Sequence, residues 1–476
     1  MAASLMRSAA SRACGRHIAQ AVGRQGVASR TMATAHAAEI HFPPSVLHAP
    51  GTEMTRLDNG VRVATEARGG ELASLSIAVD AGTRMESDAA AGTCAVLGKL
   101  AFAGQAKEVA AMGGHFSAEA RRETTIFRAT VARKDVNAAL AVLAKAASAA
   151  NAGAAAVAAA KGEVLCDLEG ARLRPEDHLL DHLHDAAFLG SPLGRSVLGT
   201  PATVSALSAD DVAAFASAFY TGPRTVVAAA GAVEHDAVVA AAAAALGARP
   251  GGGAADVDAP LADAPFVGSD KRIRFDNKPL ARVALAFKGP AATSEYALPL
   301  QLAAATMGSW DRTSGIGTDV GTRWALANAE NNAAYKAEVS TIAYRDTGLL
   351  VVTGTAPDVG LDNFMWFTLE ALVRMCHKVT DEEVARGKTA LKTQLMLATA
   401  APAGACDDIT RQVLSVGRRV HATELFARLD ALSTSDVRNT VNEFVNDQDH
   451  ALAAVGPIFE LPDYNWIRRR SYWLRY

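Results

Sequence analysis

The chain has 476 residues, 50% of them hydrophobic, and its 47 Lys and Arg stand against 50 Asp and Glu for a formal net charge of −3. That length exceeds a usual single domain and predicts two domains or more, each with a sizeable core. The basic residues are interspersed with acidic ones, which excludes a nucleic-acid footprint; the five cysteines (Cys14, Cys94, Cys166, Cys376, Cys406) are scattered, odd in number and without a CxxC pair, which excludes a disulfide framework and a cysteine-held metal.

Residues 1–40 contain Arg7, Arg12, Arg16, Arg24 and Arg30 among many Ala and Ser, with no acidic residue before Glu39. That is the composition of an amphipathic mitochondrial transit peptide, and the segment is set apart from the fold. A strand-like run at Val61 to Ala64 follows the turn signal Asn59-Gly60, and a second at Leu75 to Val79 leads into Ala81-Gly82; the pair reads as a hairpin. A helix is predicted from about Ala89 to Ala103, then strands at Thr125 to Val131 and Thr225 to Ala230, with Ala-rich helical stretches between and after them. The pattern is α+β, without regular βα alternation. No stretch offers the roughly 20 strongly apolar residues of a membrane span. The longest candidate, Val238 to Leu246, is mostly alanine, so any membrane association is expected to be peripheral.

The clearest boundary is 248–265, where Arg249-Pro250-Gly251-Gly252-Gly253 opens a stretch of small residues, Asp and Pro without hydrophobic period. It reads as a linker between an N-terminal domain over 45–247 and a C-terminal domain over 266–476. Beyond it the order of elements repeats. Arg282 to Phe287 corresponds to Leu75 to Val79, Thr347 to Thr355 to Thr125 to Val131, and Ala451 to Gly456 to Val226 to Gly231. Two copies of one domain, of roughly 200 residues each, are expected.

Several stretches carry a family resemblance. Ala81-Gly82-Thr83-Arg84-Met85-Glu86 and Ala91-Gly92-Thr93-Cys94-Ala95-Val96-Leu97-Gly98-Lys99-Leu100-Ala101-Phe102 resemble the signature region of the inverzincin (pitrilysin-like) peptidases. Met112-Gly113-Gly114-His115-Phe116-Ser117-Ala118, Leu193-Gly194-Arg195-Ser196-Val197-Leu198-Gly199 and Tyr220-Thr221-Gly222-Pro223-Arg224 continue the likeness. In the second half, Ser309-Trp310-Asp311-Arg312-Thr313, Gly456-Pro457, Leu461-Pro462-Asp463-Tyr464-Asn465 and Trp473-Leu474-Arg475 are similar to one branch in particular. That branch holds the β subunit of mitochondrial processing peptidase and core subunit I of respiratory complex III. The resemblance spans about 45–476 and implies an α+β fold of two homologous domains, each a mixed or antiparallel sheet packed against helices, enclosing a cavity.

An inverzincin places H-x-x-E-H on a helix because histidines at i and i+4 share a face and can share a zinc, while the Glu between them activates the bound water. A distal Glu supplies the third protein ligand. In the register that the resemblance sets, Ala95, Gly98 and Lys99 occupy the His, Glu and His positions and Asp167 the distal one. Ala95 and Gly98 offer no donor atom. The Lys99 ammonium would repel a dication by roughly 8 kcal/mol at ~4 Å and an effective dielectric of ~20, against ~10 to 16 kcal/mol for a structural zinc. Asp167 is the one ligand-type residue left, and the segment between Phe102 and Met112 is trimmed relative to the family. No catalytic, metal-binding or cofactor-binding residue is therefore expected.

One literal H-x-x-D-H exists, His178-Leu179-Leu180-Asp181-His182, with His184 beyond. A relocated zinc site is physically conceivable there, but Asp is shorter than the Glu that activates water, and a polar helix face is the preferred reading. Ser314-Gly315-Ile316-Gly317-Thr318-Asp319-Val320-Gly321 lacks the strand and lysine of a phosphate-binding loop and reads as a plain loop. The tail Trp466 to Tyr476 mixes aromatics with arginines and suits docking on partners or anionic headgroups.

The resemblance thus implies an inactive metallopeptidase homologue, not an enzyme, acting as a core I type subunit of complex III. It would lie on the matrix side of the mitochondrial inner membrane and pair with a core II homologue. It would support cytochrome b, cytochrome c1 and the Rieske protein while itself binding no haem, iron–sulfur cluster or quinone. The rival reading is a processing-peptidase β-type subunit with a displaced zinc site or residual presequence binding, for which Glu119, Arg121 and Glu123 are candidate contacts.

Overall fold

The structure, a computed structural model, describes residues 50–148, 153–252, 261, 263–314 and 321–472. The expected transit segment at 1–40, half of the linker (253–260 and 262), the glycine-rich loop at 315–320 and the tail from 473 lie outside the described residues.

Two six-stranded sheets organise the chain. The first comprises β1 (Glu53–Arg56), β2 (Arg62–Ala67), β3 (Leu72–Val79), β4 (His115–Ala120), β5 (Thr125–Ala132) and β6 (Thr225–Gly231), in the order β1-β2-β6-β3-β5-β4. The second comprises β7 (Asp270–Arg274), β8 (Ala281–Gly289), β9 (Ser309–Asp311), β10 (Lys336–Ala343), β11 (Gly348–Ala356) and β12 (His450–Gly456), in the order β7-β12-β8-β11-β10-β9. In both, the last strand of the half runs parallel to the first or second and antiparallel to its other neighbour. Strands β3, β5 and β6 therefore occupy the places that β8, β11 and β12 take in the second sheet, the correspondence read from the element order.

The expected hairpin of Val61 to Ala64 with Leu75 to Val79 does not form. Strand β6 inserts between β2 and β3, pairing parallel with one and antiparallel with the other. Asn59-Gly60 instead turns β1 into β2, which pair antiparallel. Gly60 has φ +89°, a left-handed value at which a Cβ would also meet the Pro223 ring at 2.9 Å.

The helices that position the site are α1 (Thr93–Leu100), α2 (Val136–Ala146), α3 (Ala154–Leu173), α4 (Leu179–Ala187), α5 (His235–Leu246), α6 (Ala297–Met307), α7 (Leu361–His377), α8 (Asp381–Ala400), α9 (Pro402–Ser415), α10 (Thr434–Phe444) and α11 (Tyr464–Arg470). On one face of the first sheet, Val63, Leu75, Ile77 and Phe127 pack with α1, α2, α3 and α5. On the matching face of the second, Val283, Leu285, Phe287 and Val352 pack with α6, α7 and α10.

The opposite faces are covered by exchange. Helix α4, from the N-terminal half, lays Leu179, Leu183, Ala186 and Ala187 on Ala284, Ala286, Ala451 and Ala453 of the second sheet. Helix α9, from the C-terminal half, lays Ala405, Cys406, Ile409 and Val413 on Ala64, Val226, Ala228 and Ala230 of the first. Both sets recur at i, i+4 and i+8, the period of a helix with one apolar stripe. The alanines on the strands let the helix backbones approach closely. Strands β6 and β12 are consequently buried along their whole length, which is why they read as continuous small apolar runs.

Candidate functional site

Helix α1 is short and starts on Gly92, whose φ of +101° and contact with Val204 exclude a side chain. The buried Glu86 carboxylate caps it, accepting from the backbone N–H of Gly92 (2.8 Å) and of Cys94 (2.6 Å). Burial raises the Glu86 pKa against those two bonds. Its interior face, Cys94, Val96, Leu97 and Leu100, is buried in the first core.

Helix α1 packs on α3, and there the Lys99 ammonium meets the Asp167 carboxylate at 2.6 Å, both side chains partly exposed. Ala95 lies one turn earlier and is buried; Gly98 has open space where its Cβ would be. Of the four positions that the family register singles out, the structure thus joins two as an ion pair, and the other two bear no polar side-chain atom. This donor set does not fit a zinc ion. A tetrahedral site needs three or four N, O or S ligands, and here one carboxylate is present and is already engaged by a cation.

The H-x-x-D-H stretch is not one helical face. His178 closes a 3-10 turn, Pro175–His178, and α4 begins after it. Although burial works against it, Asp181 is held below the usual carboxylate range by Arg122, which donates at 2.6 Å, and by Ser196 at 3.1 Å. His184 is buried, with its pKa pushed down to about 3 by burial and by Arg122. Its Nδ1 faces the Leu180 carbonyl at 2.6 Å, so that nitrogen carries the proton and Nε2 accepts from the Tyr344 hydroxyl at 2.7 Å. Among the described residues no group of three or more His, Cys, Asp or Glu is placed to hold a metal ion.

A cavity of about 880 Å³ is lined by the β4–β5 turn of the first sheet, the β10–β11 turn of the second, α8 and α9. Glu119, Arg121 and Glu123 line it, as do Asp80, Asp407 and Asp408. Each of these carboxylates faces an arginine. Glu119 pairs with Arg121 and Arg128, both at 2.6 Å, and Arg128 continues to Asp407 at 2.6 Å. Glu123 pairs with Arg84 at 2.8 Å, Asp80 with Arg345 at 2.6 Å, and Asp408 with Arg411 and Arg419.

The β10–β11 turn reaches across to the N-terminal half, a set of contacts that sequence reasoning missed. Tyr344 meets His184, and Arg345 meets Asp80 while its backbone N–H donates to Glu123 at 3.1 Å. Asp346 takes a two-pronged bond from Arg84 at 2.6 and 2.7 Å. Arg84 belongs to the signature region, but its partner stands 262 residues away and no local pattern marks it.

The same architecture recurs in known proteins. Residues 62–201 match the family described as Insulinase (Peptidase family M16), and residues 206–391 the family described as Peptidase M16 inactive domain. The probable mitochondrial-processing peptidase subunit beta of Arabidopsis thaliana is 35% identical over 442 residues, 90% of this chain and 83% of that protein. The cytochrome b-c1 complex subunit 1 of Homo sapiens is 32% identical over 443 residues, 91% and 92% of the two chains. A chain in the structure of complex III2 from Candida albicans with Inz-5 bound superposes with a TM-score of 0.81 at 27% identity, covering 89% of this chain and all of that one. Two repeated sheets, a signature helix packed on a second helix, and sequence likeness along nine-tenths of its length together make this chain a member of peptidase family M16, related to both the processing-peptidase β subunits and complex III subunit 1.

Proposed function

We propose that the chain is a non-catalytic core I type subunit of mitochondrial respiratory complex III. On this reading a transit peptide at 1–40 is followed by an N-terminal domain at 45–247, a linker at 248–265 and a C-terminal domain at 266–476. The observation that carries it is the Lys99–Asp167 ion pair. Where a peptidase of this family needs metal ligands, two helices are tied by opposite charges, and the preceding turn contributes only Ala95 and Gly98. The same ion pair works against activation of water, since no general base stands at position 98 and a cation stands at 99.

The scaffold would sit on the matrix side of the inner membrane, pair with a core II homologue and support cytochrome b, cytochrome c1 and the Rieske protein. Support comes from the likeness to complex III subunit 1 and to a chain of a complex III structure. No helix among the described residues is long and apolar enough to cross a membrane, which is consistent with peripheral attachment. The chain itself would hold no cofactor.

Two experiments test this. Purification from mitochondrial membranes in mild detergent should recover cytochrome b and a core II homologue with the chain; recovery with a processing-peptidase α partner alone would overturn the proposal. The purified chain should bind less than stoichiometric zinc, whereas Ala95→His, Gly98→Glu, Lys99→His and Asp167→Glu together should restore measurable binding. The open space at Gly98 admits the new Glu. No gain of zinc would mean that the register is wrong.

A second reading, a processing-peptidase β-type subunit that holds presequences, is favoured by the 880 Å³ cavity and the 35% identity to such a subunit. Against it stands the pairing of each cavity carboxylate, Asp80, Glu119, Glu123, Asp407 and Asp408, with an arginine, which leaves little free negative charge for a basic peptide. Titration with an arginine-rich presequence peptide decides, and saturable binding at micromolar concentration would favour this second reading.

A further inference from the structure

We infer that the two halves are each other's binding partner, held by the exchanged helices and the polar contacts beside them, so that the chain severed in the stretch between them remains one particle.

Each half has one sheet face whose cover comes from the other half. On the first sheet that face is Ala64, Val226, Ala228 and Ala230, and Ala405, Cys406, Ile409 and Val413 of α9 close it, each of them 2% exposed or less. Ser76 and Thr410 share a buried hydrogen bond of 2.6 Å in the same seam. Arg62 and Arg68, at the two ends of β2, donate to the carbonyls of Val413 and Thr399 in the last turns of α9 and α8, where helix carbonyls lack intrahelical partners. Arg128 pairs with Asp407 at 2.6 Å.

The second seam runs the other way. Helix α4 closes Ala284, Ala286, Ala451 and Ala453 of the second sheet. Beside it Lys271 pairs with Asp185 at 2.6 Å, Arg282 with Asp177 at 3.0 Å and Lys278 with Glu176 at 3.1 Å. Each half thus gives a helix and receives one. Parting them bares both helix stripes and both alanine faces to water at once and breaks the Arg84–Asp346 and Arg345–Asp80 pairs as well.

The connecting stretch adds little by comparison. The chain is tied to the N-terminal half as far as Pro250, whose carbonyl accepts from the Gly222 N–H at 2.9 Å, and is tied again at Val267, whose N–H donates to the Ala187 carbonyl at 2.8 Å. A short flexible connection supplies an effective concentration on the order of millimolar, and two buried seams hold at micromolar concentration without it. A cut made there after folding therefore leaves the particle intact and cannot serve as an off-switch. Order of folding follows too: the face of the first sheet is completed only by α9, Pro402–Ser415, so the N-terminal half does not finish folding before that segment arrives.

The inference is independent of the scaffold reading. A recognition site for a sequence-specific protease, inserted between Gly251 and Gly252 of the full chain, tests it. After cleavage of the folded protein both fragments should elute together from a size-exclusion column at about micromolar concentration, in the volume of the uncut chain. The melting temperature of the cut protein should rise with its concentration. Ile409→Ala should weaken association of the cut fragments by about ten-fold or more, while Val359→Ala, at an 80% exposed position, should leave it unchanged. If Ile409→Ala keeps the uncut chain from folding, dilution of the unsubstituted cut protein decides alone. Fragments that part at micromolar concentration, as two peaks or as a precipitate, a melting temperature independent of concentration, or unchanged association in a folded Ile409→Ala would overturn the inference.

Discussion

His450 and His184 show how two buried histidines of one chain differ in what they contribute. His184 uses both ring nitrogens, one toward the Leu180 carbonyl and one toward Tyr344. His450 is wholly buried, stacked on Tyr464 at 4.2 Å, and neither of its nitrogens has a partner. Replacing it by Phe keeps the ring stack and removes two unpaired polar atoms. His450→Phe should therefore stabilise the fold by about 1 kcal/mol at neutral pH, read from urea denaturation. The gain should grow on acidification. Burial pushes the His450 pKa down to about 4, so between about pH 6.5 and 4 the unfolded chain binds a proton that the folded chain refuses. Wild-type stability is full above that window and falls through it by up to ~1.4 kcal/mol per pH unit from this group; the Phe variant lacks that slope. His184, depressed to about 3, adds a slope of the same sign. His184→Phe should nevertheless destabilise by about 1 to 3 kcal/mol, because it removes the acceptor of the part-buried Tyr344 hydroxyl.

Among elements, α1 and α3 carry the family's signature, and the forces that hold them are unequal. The Lys99–Asp167 pair is more than a third exposed on average. Screening limits it, so Lys99→Met should cost less than about 1 kcal/mol in thermal melts. Glu86→Gln should cost more, about 1 to 2 kcal/mol, since the buried carboxylate satisfies two backbone donors that open α1. The helix is therefore maintained by its cap and its apolar face more than by that ion pair. The missing donors at 95 and 98 were legible in the sequence, because an absent side chain needs no tertiary context. That Lys99 meets Asp167 was not, since packing of α1 against α3 decides it.

Across the whole molecule, exchange of α4 and α9 joins the halves, and the Tyr344–Asp346 turn fastens them. Arg84, whose side chain is fully buried, is neutralised by one carboxylate from each half, Glu123 and Asp346. Removing that cation strands the half-buried Glu123 beside a single backbone donor. Arg84→Met should destabilise by about 2 kcal/mol or more and raise hydrogen exchange along α9 and β6, where the halves overlap. Unchanged exchange there would mean that the turn does not couple the halves.

By itself, the sequence determined the α+β class, the repeat of strand order, the family and the absence of a donor atom in the side chains of Ala95 and Gly98. Each follows from local composition or from positions read one at a time. Only the tertiary structure decided that β6 separates β2 from β3, that α4 and α9 trade sheets, and that the cavity carboxylates are matched to arginines. Those pairings join residues far apart in sequence, and a side chain's charge or apolar face does not say which distant partner will neutralise or cover it. Burial supplies that answer, because a charge or a helix stripe withdrawn from water must find its partner within the folded chain.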